Sequence, residues 1–248
     1  MEGNEKFKLT NKELEFKLKL FLEQYKHKIN SEVSFNYFLE SIKPYLPIPA
    51  IGYYIAIDGV NTSGKTTTAE LLRLRLAEKG YEARNIKTIS DLNTFGREFY
   101  KEKWNKAYEI DPFLISSSTY LQVLKNTKPN PQTFVLLDRY IFSAEVFLEA
   151  AAEKENSNIE KYVKNWFNAF NLPMPFLQVV LIDSKVDYLA RFKVRYGRIP
   201  SETEKEFYNI TKELFLNNSK TDKSILLINT SNLTQKEVIY SIESRLNV

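Results

Sequence analysis

Eight consecutive residues, Gly59-Val60-Asn61-Thr62-Ser63-Gly64-Lys65-Thr66, follow the spacing G-x-x-x-x-G-K-[ST]. Each residue type has a task there in holding phosphate. Gly59 and Gly64 let the backbone turn tightly and bring its N–H groups against phosphate oxygens, and the start of a following helix adds a positive dipole end. The Lys65 ammonium would reach β- and γ-phosphates, and the Thr66 hydroxyl would sit on Mg²⁺. Asn61, Thr62, Ser63 and Thr67 complete the segment expected to touch a nucleotide. The surroundings that make such a spacing credible are present. The apolar run Ile51–Ile57 reads as a buried strand before the loop, and a helical pattern from Thr67 to Lys79 follows it.

Two further clusters could act on the same phosphates. Asp138-Arg139-Tyr140 comes directly after the apolar run Phe134-Val135-Leu136-Leu137. Ligands of a parallel sheet gather at the carboxyl ends of its strands, so Asp138 is expected to open into the same crevice as the loop. Its carboxylate can hold Mg²⁺ directly or through water, and the planar fork of Arg139 matches the oxygens of a transferring phosphate. Farther on, Arg191, Arg195 and Arg198 are spaced i, i+4, i+7 on one helix face, with Lys193 among them, until Gly197 breaks the helix. Tyr196-Gly197-Arg198-Ile199-Pro200 then reads as a mobile loop. Cations on a closing loop suit phosphoryl transfer, because its charge spreads over three oxygens and water must be shut out. The chain has one histidine, His27, and no cysteine. That argues against a histidine base and excludes disulfides and zinc–cysteine sites.

These residues need a scaffold that brings distant segments to one edge. From Ile51 onward, strand-like and helix-like segments alternate, with strands expected at 51–57, 83–89, 133–137, 177–182 and 224–228. The alternation implies an α/β fold, a three-layer sandwich of about five parallel strands with helices on both faces. Continuous apolar runs such as Val179-Val180-Leu181-Ile182 fit strands buried on both sides. Helix starts are marked by Asp111-Pro112, and by Ser184 with Asp187, Ser201 with Glu204 and Thr234 with Glu237 at capping-box spacing. Residues 1–50 read as a separate unit ahead of a main domain at 51–248. Leu14, Leu18, Phe21, Leu22, Tyr25 and Ile29 form one helical stripe, and Phe35, Phe38, Leu39 and Ile42 a second. Pro44, Pro47 and Pro49 then act as a stiff connector. The expected hairpin packs on the main domain or on a partner subunit. In the 248 residues, 43% are hydrophobic and 27% charged, the balance of a soluble globular chain. The net charge of +4 is too small to argue for nucleic acid and suits an anionic small substrate equally well. No apolar run reaches membrane-spanning length and the start is polar, so a cytoplasmic location is the expectation.

The chain resembles the thymidylate kinase family of P-loop nucleoside monophosphate kinases. The resemblance is carried by Ile57-Asp58-Gly59 through Thr66-Thr67, by Asp138-Arg139-Tyr140 with Ser143, and by Leu172-Pro173-Met174-Pro175. Leu189-Ala190-Arg191 leading into the arginine-rich segment and Ile228-Asn229-Thr230 complete it. It implies a P-loop NTPase fold, ATP and Mg²⁺ as cofactors, and a homodimer. Lys65, Thr66 and Arg191 would serve ATP, with Thr66 and Asp138 at the metal. Arg139 would contact donor and acceptor phosphates, and Arg195 and Arg198 would be lid arginines. A loop with Thr62 and no arginine resembles the subtype whose catalytic arginine comes from the lid. Asp58, Asn61, Arg139, Tyr140, Ser143 and Phe147 fall on the acceptor side. The departures also lie there: Asn61 replaces the usual acidic residue, Ser90-Asp91-Leu92-Asn93 stands for Arg-Glu-Pro-Gly, and Ser116–Thr119 offer only hydroxyls. Val146-Phe147-Leu148 stands for Ala-Tyr-Gln. The expected activity is ATP-dependent phosphorylation of a nucleoside monophosphate, dTMP first. A deoxynucleoside or other small-molecule kinase, or a nucleotide-binding module without turnover, are the alternatives.

Overall fold

The architecture follows from a computed structural model that describes residues 53–87, 132–155 and 174–246. The expected hairpin at 1–50, Ser90–Asn93, the Asp111-Pro112 helix start, Ser116–Thr119 and Leu172-Pro173 lie outside the described residues. Five strands, β1 (Tyr53–Gly59), β2 (Ala83–Lys87), β3 (Phe134–Asp138), β4 (Leu177–Ile182) and β5 (Ile225–Asn229), form one sheet. Their order is β2-β3-β1-β4-β5 and every pairing is parallel. The helices are α1 (Lys65–Glu78), α2 (Ile141–Glu155), α3 (Lys185–Tyr196), α4 (Glu202–Thr221) and α5 (Gln235–Leu246).

Alternation along the strands produces the layers. Ile55 and Ile57 of β1, Phe134 and Leu136 of β3, and Val179 and Leu181 of β4 turn to one face, where Ala69, Leu72 and Leu76 of α1 and Val238, Ile239 and Ile242 of α5 cover them. On the opposite face Val180 and Ile182 pack under Val146 of α2, Tyr188 and Phe192 of α3, and Tyr208 and Phe215 of α4. The result is the three-layer sandwich that the alternation of elements implies.

Strand limits shift slightly from the sequence reading, for a reason that bears on the site. β1 runs on through Asp58 and Gly59, which pair with Val180 and Leu181 of β4. Likewise β3 includes Asp138, paired with Ile57 on one side and Lys87 on the other. Polar residues at strand ends look like loop in a sequence, but pairing with β4 at Asp58 and Gly59, and with both β1 and β2 at Asp138, holds them in the sheet. β1 occupies the centre, with β3 on one side and β4 on the other. The chain therefore departs in opposite directions around its carboxyl end, the switch point at which open α/β sheets form ligand crevices.

Candidate active site

The loop between β1 and α1 owes its shape to its glycines and to Thr62. Gly59 has φ 134°, and a Cβ there would lie 1.9 Å from the carbonyl oxygen of Leu181. Only glycine lets β1 end so close to β4. Thr62 (φ 65°) and Gly64 (φ 92°) are also left-handed. Gly64 caps α1 with no side-chain hydrogen bond, and the first turn carries no acidic residue. The free N–H groups of that turn thus face the loop without competition from a protein anion. Lys65 begins α1 two residues earlier than the helical pattern indicated, and its Nζ donates to the Val60 carbonyl and, at 3.3 Å, to Ser63 Oγ. Burial, and then the charge of Arg139, push its pKa well below the ordinary lysine value. The carboxylates of Asp138, Asp58 and Asp183 oppose that shift.

Thr66 and Asp138 are 72 positions apart in sequence, and the fold brings them together: Thr66 Oγ1 donates to Asp138 Oδ2 at 2.6 Å. Hard oxygens at this spacing suit Mg²⁺, which keeps most of its waters and needs only one or two protein ligands when phosphates supply the rest. Arg139 follows in a left-handed conformation, φ 67°. Its Nη2 donates to Asn61 Oδ1 at 2.6 Å, and its guanidinium lies 5.0 Å from the centre of the Phe147 ring.

Asp58, expected on the acceptor side, is instead fully buried and occupied. It accepts from the backbone N–H of Tyr140 (2.7 Å) and of Ser143 (3.2 Å), and from Gln178 Nε2 (2.8 Å). One carboxylate on β1 thereby caps the start of α2 and ties it to β4. Burial raises its pKa, while the donors of Ser143, Tyr140 and Gln178 and the charge of Arg139 act against the rise. The Tyr140 ring and the Ser143 side chain are buried as well. Phe147 stacks on Phe207 at 5.9 Å and forms a support under Arg139. None of these four side chains is among the described residues that line the crevice.

The crevice has a volume of about 570 Å³ and is lined by Thr62, Gly64, Lys65, Thr66, Thr67, Lys87, Asp138, Arg139, Arg191 and Arg195. Arg191 is held at its base: Nη1 meets Thr230 Oγ1 at 3.1 Å and Asp183 Oδ2 at 3.4 Å. Tyr208 OH donates to the other Asp183 oxygen at 2.9 Å. Arg198 points elsewhere. Its two terminal nitrogens each reach Glu204 at 2.7 Å, and it lies 5.1 Å over the Phe192 ring. Lys87 and Asp183 were missed in the sequence. Lys87 falls inside the expected strand 83–89, which hides it as a site residue, whereas Asp183 did carry a signal, an acid directly after an apolar run, as at Asp138.

With this geometry in place, similarity to known proteins becomes informative. The thymidylate kinase family model matches residues 57–242, spanning the loop, the crevice and the arginine helix. The chain belongs to the thymidylate kinase family. Its members are nucleoside monophosphate kinases, and ATP is the phosphate donor. A probable thymidylate kinase of Archaeoglobus fulgidus is 26% identical over 199 residues, 78% of this chain and 96% of the relative. The structure of a Candida albicans thymidylate kinase superposes with a TM-score of 0.58 at 20% identity, covering 79% of this chain and 92% of that one. A deoxyadenosine kinase from M. mycoides, with bound dCTP, gives 0.55 at 19% identity over 78% and 98%. Both structures share the P-loop NTPase fold. None of the described helices is long and apolar enough to cross a membrane.

Proposed function

We propose that the chain transfers the γ-phosphoryl group of ATP to the phosphate of a nucleoside monophosphate, with dTMP the preferred acceptor. The observation that carries this reading is the charge of the crevice. Lys65, Lys87, Arg139, Arg191 and Arg195 line it, and among its described residues the only carboxylate is Asp138, already engaged by Thr66. A nucleoside acceptor would need a base to take its hydroxyl proton. A phosphate acceptor is already anionic and needs only cations to bring two like-charged groups together.

In the proposed reaction an acceptor phosphate oxygen attacks the γ-phosphorus as the bond to the ADP oxygen breaks, and no proton need move. The N–H groups at the start of α1 and the Lys65 ammonium bind the donor phosphates. Arg139, fixed by Asn61 and Phe147, lies between donor and acceptor, and Arg191 and Arg195 close the β4 flank. Lys87, at the end of β2 on the other flank, meets the acceptor. Mg²⁺ held by Thr66 and Asp138 would supply charge neutralisation at the phosphates. Homodimerisation and a cytoplasmic location complete the proposal, and light scattering of the purified chain tests the dimer.

ADP release with ATP, Mg²⁺ and a panel of nucleosides and their monophosphates tests the activity. The fastest turnover is expected with dTMP, and Lys65→Ala is expected to lower it by about 10²–10⁵-fold. Phosphorylation of a nucleoside with none of its monophosphate, or full turnover by Lys65→Ala, would overturn the reading.

A further inference from the structure

At the edge of the sheet opposite the crevice, an aromatic ring stands at or just before the start of each of four adjacent strands. In spatial order they are Tyr81 ahead of β2, Phe134 of β3, Tyr53 of β1 and Phe176 ahead of β4. Every neighbouring pair is in ring contact. Tyr81 meets Phe134 edge-on at 5.3 Å, Phe134 stacks on Tyr53 at 5.3 Å, and Tyr53 meets Phe176 edge-on at 5.7 Å. Ring-to-ring contact explains their mutual packing, but three of them remain open to solvent: Tyr53 by 44%, Tyr81 by 40% and Phe176 by 61%. Together with Gln132 they border a groove of about 650 Å³. A continuous, half-exposed aromatic row of this extent is more than the scattered apolar residues of an ordinary surface.

We propose that this row is the docking site for the proline-rich segment of the same chain, Pro44-Tyr45-Leu46-Pro47-Ile48-Pro49. Position argues first. Tyr53 is a member of the row, so residues 44–52 join the described structure at the groove itself. Composition argues second, since Pro44 to Gly52 contains no charged residue in a chain that is 27% charged. Aromatic-lined grooves are a standard receptor for proline-rich segments, whose preferred extended helix loses little entropy on binding. Reach argues third. Tyr53 to Tyr81 is two strand spacings, about 10 Å, and six residues in that helix extend about 19 Å. The sequence places a glycine, Gly52, directly before β1, where such docking would need the chain to reverse. Docked this way, the segment would fix residues 1–43 to the side of the molecule away from the phosphates.

The absence of cysteine from the chain permits a clean test. In the full-length protein, Leu46→Cys is paired with Gln132→Cys, and separately with Val194→Cys on the exposed face of α3, and each pair is oxidised gently. Docking predicts an intramolecular disulfide for the first pair and none for the second. A disulfide-linked dimer from the first pair would assign the groove to a second copy, and equal yields from both pairs, or none from either, would leave the segment unattached; each overturns the proposal. Chymotrypsin gives an independent readout without thiols. Cleavage after Tyr45 is expected to be about tenfold faster in Tyr81→Ser than in the parent, with circular dichroism confirming that both are folded. Unchanged cleavage would also overturn docking.

Discussion

Arg195 and Arg198 are three residues apart and were equal candidates for the catalytic cation, yet the fold treats them differently. Arg195 lines the crevice, whereas Arg198 forks onto Glu204 and lies over Phe192. An arginine already committed to a carboxylate has little charge left for a phosphate, and releasing it would cost the pair and the ring contact. Arg195→Ala is therefore expected to lower kcat by about 10²-fold or more, and Arg198→Ala by less than about tenfold, with most of its effect on stability. Steady-state kinetics beside thermal melts separate the two. The same contrast shows what is legible from residue type. Lys65, Thr66 and Asp138 could be brought to one crevice from the sequence because a fixed spacing and a strand end locate them. Asp58, Tyr140 and Ser143 are placed on the acceptor side by the family resemblance alone. In the molecule the Asp58 carboxylate accepts from the backbone N–H groups of Tyr140 and Ser143, which ties the start of α2 to β1. Sequence proximity to a site does not say which way a side chain turns.

At the scale of elements, the junctions do more than the helices and strands they join. Where β1 gives way to the phosphate loop, the backbone of Gly59 lies directly against Leu181 of β4. Gly59→Ala drives a methyl into a backbone oxygen in a conformation that only glycine adopts readily. It is expected to destabilise the fold by about 3 kcal/mol or more, seen as a lower midpoint in denaturant unfolding. The start of α4 is a full capping box, with Ser201 Oγ accepting from the Glu204 N–H and the Glu204 carboxylate accepting from the Ser201 N–H. The hydrogen bond from Arg198 is the main reason the Glu204 pKa falls from the usual 4.5 to about 2. A depressed carboxylate stabilises above its ordinary pKa and loses that contribution as pH falls toward the folded value. Acid melts should thus show the parent losing stability between pH 4.5 and 2 relative to Glu204→Gln, by about 1 kcal/mol or less in this exposed setting. Ser201→Ala should cost about 1 kcal/mol at neutral pH. Both the box and the αL glycine that ends α3 were visible in the sequence, because caps are written in residues three apart. The exact ends of β1 and β3 were not, because a polar strand end is held by partners that a sequence does not name.

For the whole molecule, the alternation of apolar runs and amphipathic stretches was enough to give a parallel sheet covered on both faces. The order of its strands was not readable, since period-two burial says which face a residue takes but not which strand lies beside it. That order decides the electrostatics. It gathers Lys87 from β2, Arg139 from the junction of β3 and α2, and Arg191 and Arg195 from α3 around Lys65, so a chain of net charge only +4 carries a concentrated positive field at one edge. Nucleotide binding should weaken with salt accordingly. The KM for ATP is expected to rise about threefold or more between roughly 50 and 500 mM KCl, while melting temperature moves little. The bond between Thr66 and Asp138 has a temporal side as well. Its partners come from α1 and from β3, which meet only after a long intervening stretch of chain has been accommodated, and contacts of such separation are slow to form. A nascent or partly folded chain would own the eight-residue loop and still lack the carboxylate beside it. Tight nucleotide capture would then mark completion of the central sheet, making ATP a ligand that rewards only the finished molecule and slows its unfolding.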